Sequence, residues 1–227
     1  MNRFERPRSL TELVTEHLRN EIVSGALDFG AALSEATIAD RLEVSRTPVR
    51  EAFQRLEIEG LVRSEPQRGT FVFSTSKTEL QSLCDVRNVL ETGAIHLSVK
   101  HDRPGLVKRL TTVINRMEKE RKAGNVPAYL HLDTAYHQAL INGAANIYLD
   151  QSYQTIAPRM AALRNRLPAH PDLIEKSFRE HCEIRDLINQ DNVDGALEVL
   201  AFILAAKKGP TGTFKTALFA IRPALPS

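Results

Sequence analysis

Arg46 and Arg50 stand four residues apart in the stretch Val44-Ser45-Arg46-Thr47-Pro48-Val49-Arg50-Glu51-Ala52-Phe53. On a helix that spacing projects both guanidinium groups from one face, and each can offer a bidentate N–H fork to guanine or to a phosphate. Ser45 and Thr47 add short hydroxyls suited to phosphate oxygens, beside the free N–H groups that a helix start leaves. Further along, Arg68-Gly69 joins a third guanidinium to a residue whose missing side chain permits close approach to a phosphate or a minor groove. A second constellation is Asp133 and His137, at i and i+4, with His181 later in the chain. A carboxylate oxygen and an imidazole nitrogen on one helix face can share a divalent cation. The same pair is equally a hydrogen-bonded or surface pair, and His181, beside Phe178, Ile184 and Leu187 on the buried side of its helix, equally a satisfied core residue.

These groups need elements to position them. Ser9 with Glu12 three residues on has the pattern of a capping box, and Leu10, Leu13, Val14, Leu18 and Ile22 then recur at helical spacing as one buried stripe ending near Gly25. A short second helix starts around Ser34, with Ile38 and Leu42 inward. After a tight link at Glu43-Val44, Ser45 is placed to cap a third helix with inner face Val49, Phe53 and Leu56. Pro48 falls in its first turn, where a missing N–H costs little. Past Gly60 the period changes to two short strands, Leu61–Ser64 and Thr70–Phe73, joined by a Pro-Gly-containing turn. Helix, helix, turn, helix, hairpin is a winged helix-turn-helix over residues 1–75, with Ser74–Lys77 as linker. From Ser76 and Glu79, another capping-box pattern, only helical periodicity follows: helices marked by Leu80 to Leu97, Leu106 to Met117, Pro127 to Ile141, Ile147 to Leu167, Leu173 to Asn189 and Val193 to Ala206. The expected fold is mainly α, with an antiparallel all-α bundle of these helices over 76–208, whose interior can hold a site, and an atypical tail over 209–227.

The formal net charge is only +2, so bulk charge makes no case for nucleic acid. Residues 1–75 hold ten Lys/Arg against twelve Asp/Glu. Any DNA-binding surface must therefore be local, with arginines on the leading turn of the third helix and most acids on other faces. Cys84 and Cys182 have no CxxC spacing, which argues against a disulfide framework or a cysteine zinc site and fits a reducing cytosol. No apolar h-region opens the chain and no long apolar run occurs, so a cytoplasmic protein away from membranes is expected. An enzyme would need a general base beside the Asp133, His137 and His181 set, and no HExxH or triad arrangement is present. An architectural DNA-binding protein without effector is the other alternative, but a whole helical domain is more than dimerisation requires.

Leu33-Ser34-Glu35, the run from Ile38 to Ala52, Leu56 to Val62 and Arg68 to Val72 together resemble the GntR family of transcription regulators. The resemblance implies a homodimer on a short palindromic double-stranded operator, with Ser45, Arg46, Thr47, Arg50 and Gly69 in the DNA-contacting places. Ala36 stands where family members often carry Arg or Lys, which implies one phosphate contact fewer. In the second half, Arg87 with Glu91, Asp133-Thr134-Ala135-Tyr136-His137 with Asn146, and Glu180-His181 with Ile184 resemble the FCD ligand-binding domain of the FadR-type branch. That resemblance implies a divalent metal, zinc or similar, held by one Asp and three His, with a small carboxylate effector beside it. Asp133, His137 and His181 match three ligands. Arg87 is the candidate partner of the effector carboxylate, or else a helix-packing ion pair. The fourth ligand is missing: Phe202 and Ile203 stand where the pattern calls for histidine, and no His follows residue 181. Weakened or lost metal binding is the expectation, with the C-terminal sequence replaced, for instance by a shifted reading frame. The implied function is a repressor whose operator affinity is modulated by a small organic acid.

Overall fold

Capping decides where the first helix begins. The Ser9 hydroxyl accepts the Glu12 N–H and the Glu12 carboxylate accepts the Ser9 N–H, so both expected halves of the box form and α1 runs Leu10–Ser24. It stops at Gly25, whose φ of 91° is the left-handed conformation that closes helices. The computed structural model describes residues 8–166 and 171–204, except the side chains of Phe202 and Leu204. It divides into two compact units, one closing at Ser74 and the other opening at Thr75. The expectations for Leu167, for the end of the last helix at Ala206 and for the 209–227 tail lie outside the described residues.

In the first unit α1 is followed by β1 Ala32–Leu33, α2 Glu35–Arg41, α3 Arg46–Ile58, β2 Val62–Glu65 and β3 Gly69–Val72. Three expectations need correction. Leu10 and Leu13 are exposed, because the inward stripe of α1 runs through Thr11, Val14, Thr15, Leu18 and Ile22. Thr11 and Thr15 can take inward places because their hydroxyls are satisfied, by Glu51 at 2.6 Å and by the Thr11 carbonyl at 2.7 Å. Ser45 is the residue before α3, but its hydroxyl makes no capping bond, whereas Ser34 does cap α2. The sheet has three strands in the order β1-β3-β2, antiparallel throughout, with Leu33 opposite Thr70 and Glu65 opposite Gly69. A two-residue strand is too short to show alternation, so β1 left no trace in the pattern. Val49, Ala52 and Leu56 of α3 are fully buried, as are Leu18 and Ile22 of α1, and Arg19 ties the two helices together through a bidentate pair with Glu59 at 2.7 and 2.6 Å.

In the second unit a helical run, α4, spans Lys77–Lys122 and is broken at Asp102, whose φ of −159° and ψ of 71° are not helical. The break has a sequence cause: Pro104 cannot donate, and the Asp102 carboxylate accepts the Gly105 N–H at 2.9 Å, restarting the helix as a cap would. The two expected helices are thus two arms of one run. Then come α5 Val126–Gly143, α6 Ile147–Gln154, α7 Ala157–Asn165, α8 Pro171–Asn189 and α9 Val193–Leu204. The single helix expected from Ile147 onward is instead α6 and α7. Pro158 lacks the N–H that would continue the ladder across the junction. Ile95, Leu106, Leu110, Met117, Leu140 and Ile184 form the centre of the apolar core, and Ile203 packs against it. At Gly143 an added Cβ would lie 2.5 Å from Ser98 Oγ, so glycine is what lets α5 lie this close to α4. Among the described residues no helix is long and apolar enough to cross a membrane.

The link between α2 and α3 holds Glu43 at a φ of 54°, a conformation that penalises a side chain. Glu43→Gly is expected to raise stability by about 1 kcal/mol, read as an increased denaturant midpoint with unchanged slope.

Candidate functional site

Ser45, Arg46, Thr47 and Arg50 are all exposed along the leading turns of α3, and Arg68 and Gly69 are exposed at the β2–β3 turn. With Ser45 making no cap, the amide hydrogens at the start of α3 keep their capacity for an external acceptor. Arg50 points its fork at Glu35 on the first turn of α2, Nε donating at 3.0 Å and Nη2 at 2.8 Å. That hydrogen bond, helped by the charges of Arg50 and Arg46, holds the Glu35 carboxyl below its ordinary range. Arg68 pairs with Glu65 at 2.6 Å and lies 5.9 Å from the centre of the Phe71 ring. Gly69 has a φ of 109° with open space where a Cβ would be, so it is the backbone angle that calls for glycine. Glu35 is the residue that sequence reasoning gave no role here. Its fifteen-residue separation from Arg50 across a turn offers no periodic signal.

The second constellation is buried, and the structure brings its three members together. Asp133 and His137 come from one face of α5 and His181 from α8, and their ligand atoms lie within 4.8 Å of one another. His181 Nδ1 contacts the Ser177 carbonyl oxygen, which can only accept, so the hydrogen sits on Nδ1 and the lone pair on Nε2. Arg87 Nη2, which can only donate, lies 2.6 Å from His137 Nε2, so that nitrogen also carries a lone pair. His137 Nδ1–H then donates to Glu91 Oε2 at 3.1 Å. The His181 Nε2 atom faces His137 Nε2 at 3.3 Å and Asp133 Oδ1 at 3.4 Å. The three donor atoms thus converge, with no hydrogen placed between His181 Nε2 and its two neighbours and with the Arg87 N–H directed at His137 Nε2. Tetrahedral ligands at the usual metal–nitrogen length are about 3.3–3.4 Å apart. The residues therefore fit a zinc-like divalent ion, for which Asp133, His137 and His181 supply the donors. Ile203, the aliphatic residue at the fourth ligand's sequence position, packs in the apolar core and has no lone pair to add.

Two further charged pairs enclose the cluster. Arg87 Nε donates to Glu91 Oε1 at 2.7 Å, the ion pair that the i, i+4 spacing allowed, and Tyr153 Oη also reaches Glu91 Oε1 at 3.3 Å. Arg164 Nε lies 2.7 Å from Asp133 Oδ2. Nothing local in the sequence marked Arg164, because its partner lies on another helix. Asn146, part of the resemblance, instead caps α6 by accepting the Tyr148 and Leu149 N–H groups. Burial alone would push the Glu91 and Asp133 carboxyls up, but Arg87 pulls Glu91 down to about 2 and Arg164 pulls Asp133 well below the carboxylate range. Burial, then the Arg87 charge, lowers His137 to about 4, and burial lowers His181 as well.

The sign of the resulting pH dependence follows from these directions. An unfolded histidine takes up its proton near pH 6.5, while folded His137 resists until about 4, so acid favours the unfolded chain across that window. Glu91, depressed to about 2, loses its stabilising contribution below the window and in the same direction. In metal-free buffer the melting temperature is expected to fall steadily from pH 7 to pH 4.5; a flat profile there would contradict the neutral, buried histidines.

Comparison with known proteins finds a family match in each half of the chain. Residues 10–72 match the family described as bacterial regulatory proteins, gntR family, and residues 82–206, more than half of the chain, match the FCD domain. The gluconate operon transcriptional repressor of Bacillus subtilis is 33% identical over 147 residues, covering 65% of this chain and 60% of that one. The repressor of the same name in Bacillus licheniformis is 27% identical over 202 residues, covering 81% and 83%. Among solved structures, a putative GntR transcriptional regulator from Rhodococcus sp. RHA1 superposes with a TM-score of 0.76 at 25% identity, over 87% of this chain and 94% of that one. These relatives are transcription regulators and not enzymes. The chain belongs to the GntR family of bacterial transcription regulators, with a winged helix-turn-helix followed by an FCD domain.

Proposed function

We propose that this regulator is a repressor, working in the cytoplasm as a homodimer on a palindromic operator, and that a small carboxylate metabolite in the FCD domain modulates its grip on DNA. The observation that carries the DNA half is the exposed face formed by Ser45, Arg46, Thr47 and Arg50 at an uncapped helix start, with Arg68 and Gly69 on the neighbouring turn. Placed in a major groove, the leading turn of α3 sets Arg46 and Arg50 against base edges and the hydroxyls against phosphates. The wing turn reaches the flanking backbone. Relatives named as repressors support the sign of regulation, and the gluconate of their operon's name is itself a small carboxylate.

For the dimer, Val86 and Val89 on α4 and Ile147 and Tyr148 at the start of α6 are large apolar side chains left in the open, Val89 70% and Tyr148 77% exposed. The two helices adjoin where Gly93 meets Leu149. A second copy of the same face covers such a patch with two-fold symmetry. For the effector, the buried Asp133, His137 and His181 set holds a divalent cation weakly, with three protein donors and Ile203 in the fourth ligand's place. A cation there supplies an electrostatic anchor for a carboxylate, and Arg87 supplies a second positive group beside it. Effector binding biases the DNA-binding domains between states of different operator affinity.

The test is fluorescence anisotropy on a palindromic duplex from the regulator's own promoter region. Arg46→Ala with Arg50→Ala is expected to weaken specific binding by about 30-fold or more, each lost base contact contributing about 1–3 kcal/mol. Unchanged sequence-selective binding by that folded variant would remove the reading. Glu35→Gln tests the pair that Arg50 makes. Without the carboxylate, affinity for unrelated duplex is expected to rise roughly three- to tenfold, and the ratio of specific to unspecific affinity to fall.

A further inference from the structure

His137 has one electron pair to give. A neutral imidazole carries hydrogen on one nitrogen and an in-plane lone pair on the other. Because Nδ1–H is directed to Glu91 Oε2, the pair lies on Nε2, and Arg87 Nη2 donates into it at 2.6 Å. That same Nε2 faces His181 Nε2 at 3.3 Å and belongs to the three-donor cluster with Asp133. One lone pair accepts a hydrogen bond or binds a cation; it cannot do both. The guanidinium therefore stands on the bond that a metal must make.

We propose that Arg87 gates the cation site: a divalent ion enters only when Arg87 Nη2 leaves His137 Nε2, and the guanidinium edge so released takes the carboxylate of the effector. This rests on the reading of the FCD domain as a carboxylate sensor assisted by a metal. The motion is small, because Arg87 stays anchored through Nε to Glu91 Oε1 at 2.7 Å while its outer edge turns away. Charge supplies the drive. With neutral histidines, Arg87 and Arg164 are balanced by Glu91 and Asp133, all buried. A divalent ion adds two positive charges to that neutral enclosure, repels the adjacent guanidinium edge and leaves an excess that a small anion of up to two negative charges cancels. Metal and carboxylate thus each tighten the binding of the other, and the metal-free protein keeps its recognition arginine occupied.

The test uses the full-length chain and Co²⁺, titrated by its visible absorption against a chromophoric chelator. Arg87→Lys keeps the positive charge and the reach to Glu91 but ends short of His137, so it separates competition for the lone pair from plain charge repulsion. Arg87→Lys is expected to bind Co²⁺ at least tenfold more tightly than the parent. Equal or weaker binding by a folded Arg87→Lys protein overturns the gate while leaving the metal-assisted sensor standing. Failure of both proteins to bind Co²⁺ removes the metal from the sensor and the gate with it. Should Arg87→Lys not fold, the parent protein labelled with ¹⁵N-arginine gives the same answer with Zn²⁺. The Arg87 side-chain signals are expected to shift and lose protection from exchange at one equivalent, and unchanged signals with zinc bound overturn the gate.

Discussion

A charge sealed away from water has to be matched by another charge, and that requirement organises the helical domain. Arg87, Glu91, Asp133 and Arg164 are each at most 5% exposed, and each finds an opposite charge within hydrogen-bonding distance. They come from α4, α5 and α7, with His181 added from α8, so one polar cluster ties four helices into a fixed register. Removing one member would strand its partner, at a cost of about 3–5 kcal/mol for a buried pair. The apolar core supplies most of the driving force for packing, but it tolerates small slips that the polar cluster does not. The candidate cation site and the lock on the fold share atoms.

This double duty shapes what regulation can be here. A ligand that enters the cluster must re-pair every group it disturbs, because a buried charge left without a partner is costly. The ligand's own charges then become structural members, and the helices they touch respond together. Any ligand admitted there would be selected by its net charge and number of acceptor atoms before its carbon skeleton. The DNA-binding half follows an opposite plan. Its arginines lie on the surface, and Arg50 and Arg68 pair with Glu35 and Glu65, which solvent also reaches, so those pairs cost little to break.

Much of this was legible in the residues. The capping boxes at Ser9 and Ser76 depend on contacts three residues apart, so sequence alone locates them. The Asp133 and His137 pair and the Arg87 and Glu91 pair are one helical turn apart and equally visible. What escaped were contacts between distant segments. Arg164 meets Asp133 from 31 residues away, Glu35 meets Arg50 across the turn, and β1 is defined only by its partner strand. Leu10 and Leu13 misled because apolar residues at the margin of a stripe share its spacing without sharing its burial. Pro158 was present in the sequence, yet the apolar period carried straight across it.

The two-residue strand β1 has a mechanical meaning. It is paired to β3 through Leu33 and Thr70, and the chain passes directly from Leu33 through Ser34 to Glu35, the residue that holds Arg50. One residue along β3 from Thr70 is Gly69 at the wing turn. The β2–β3 turn and α3 are therefore linked through the short pairing of Ala32 and Leu33 with Phe71 and Thr70. An insertion between Leu33 and Glu35 would put the pairing with β3 and the Glu35–Arg50 contact out of step at once.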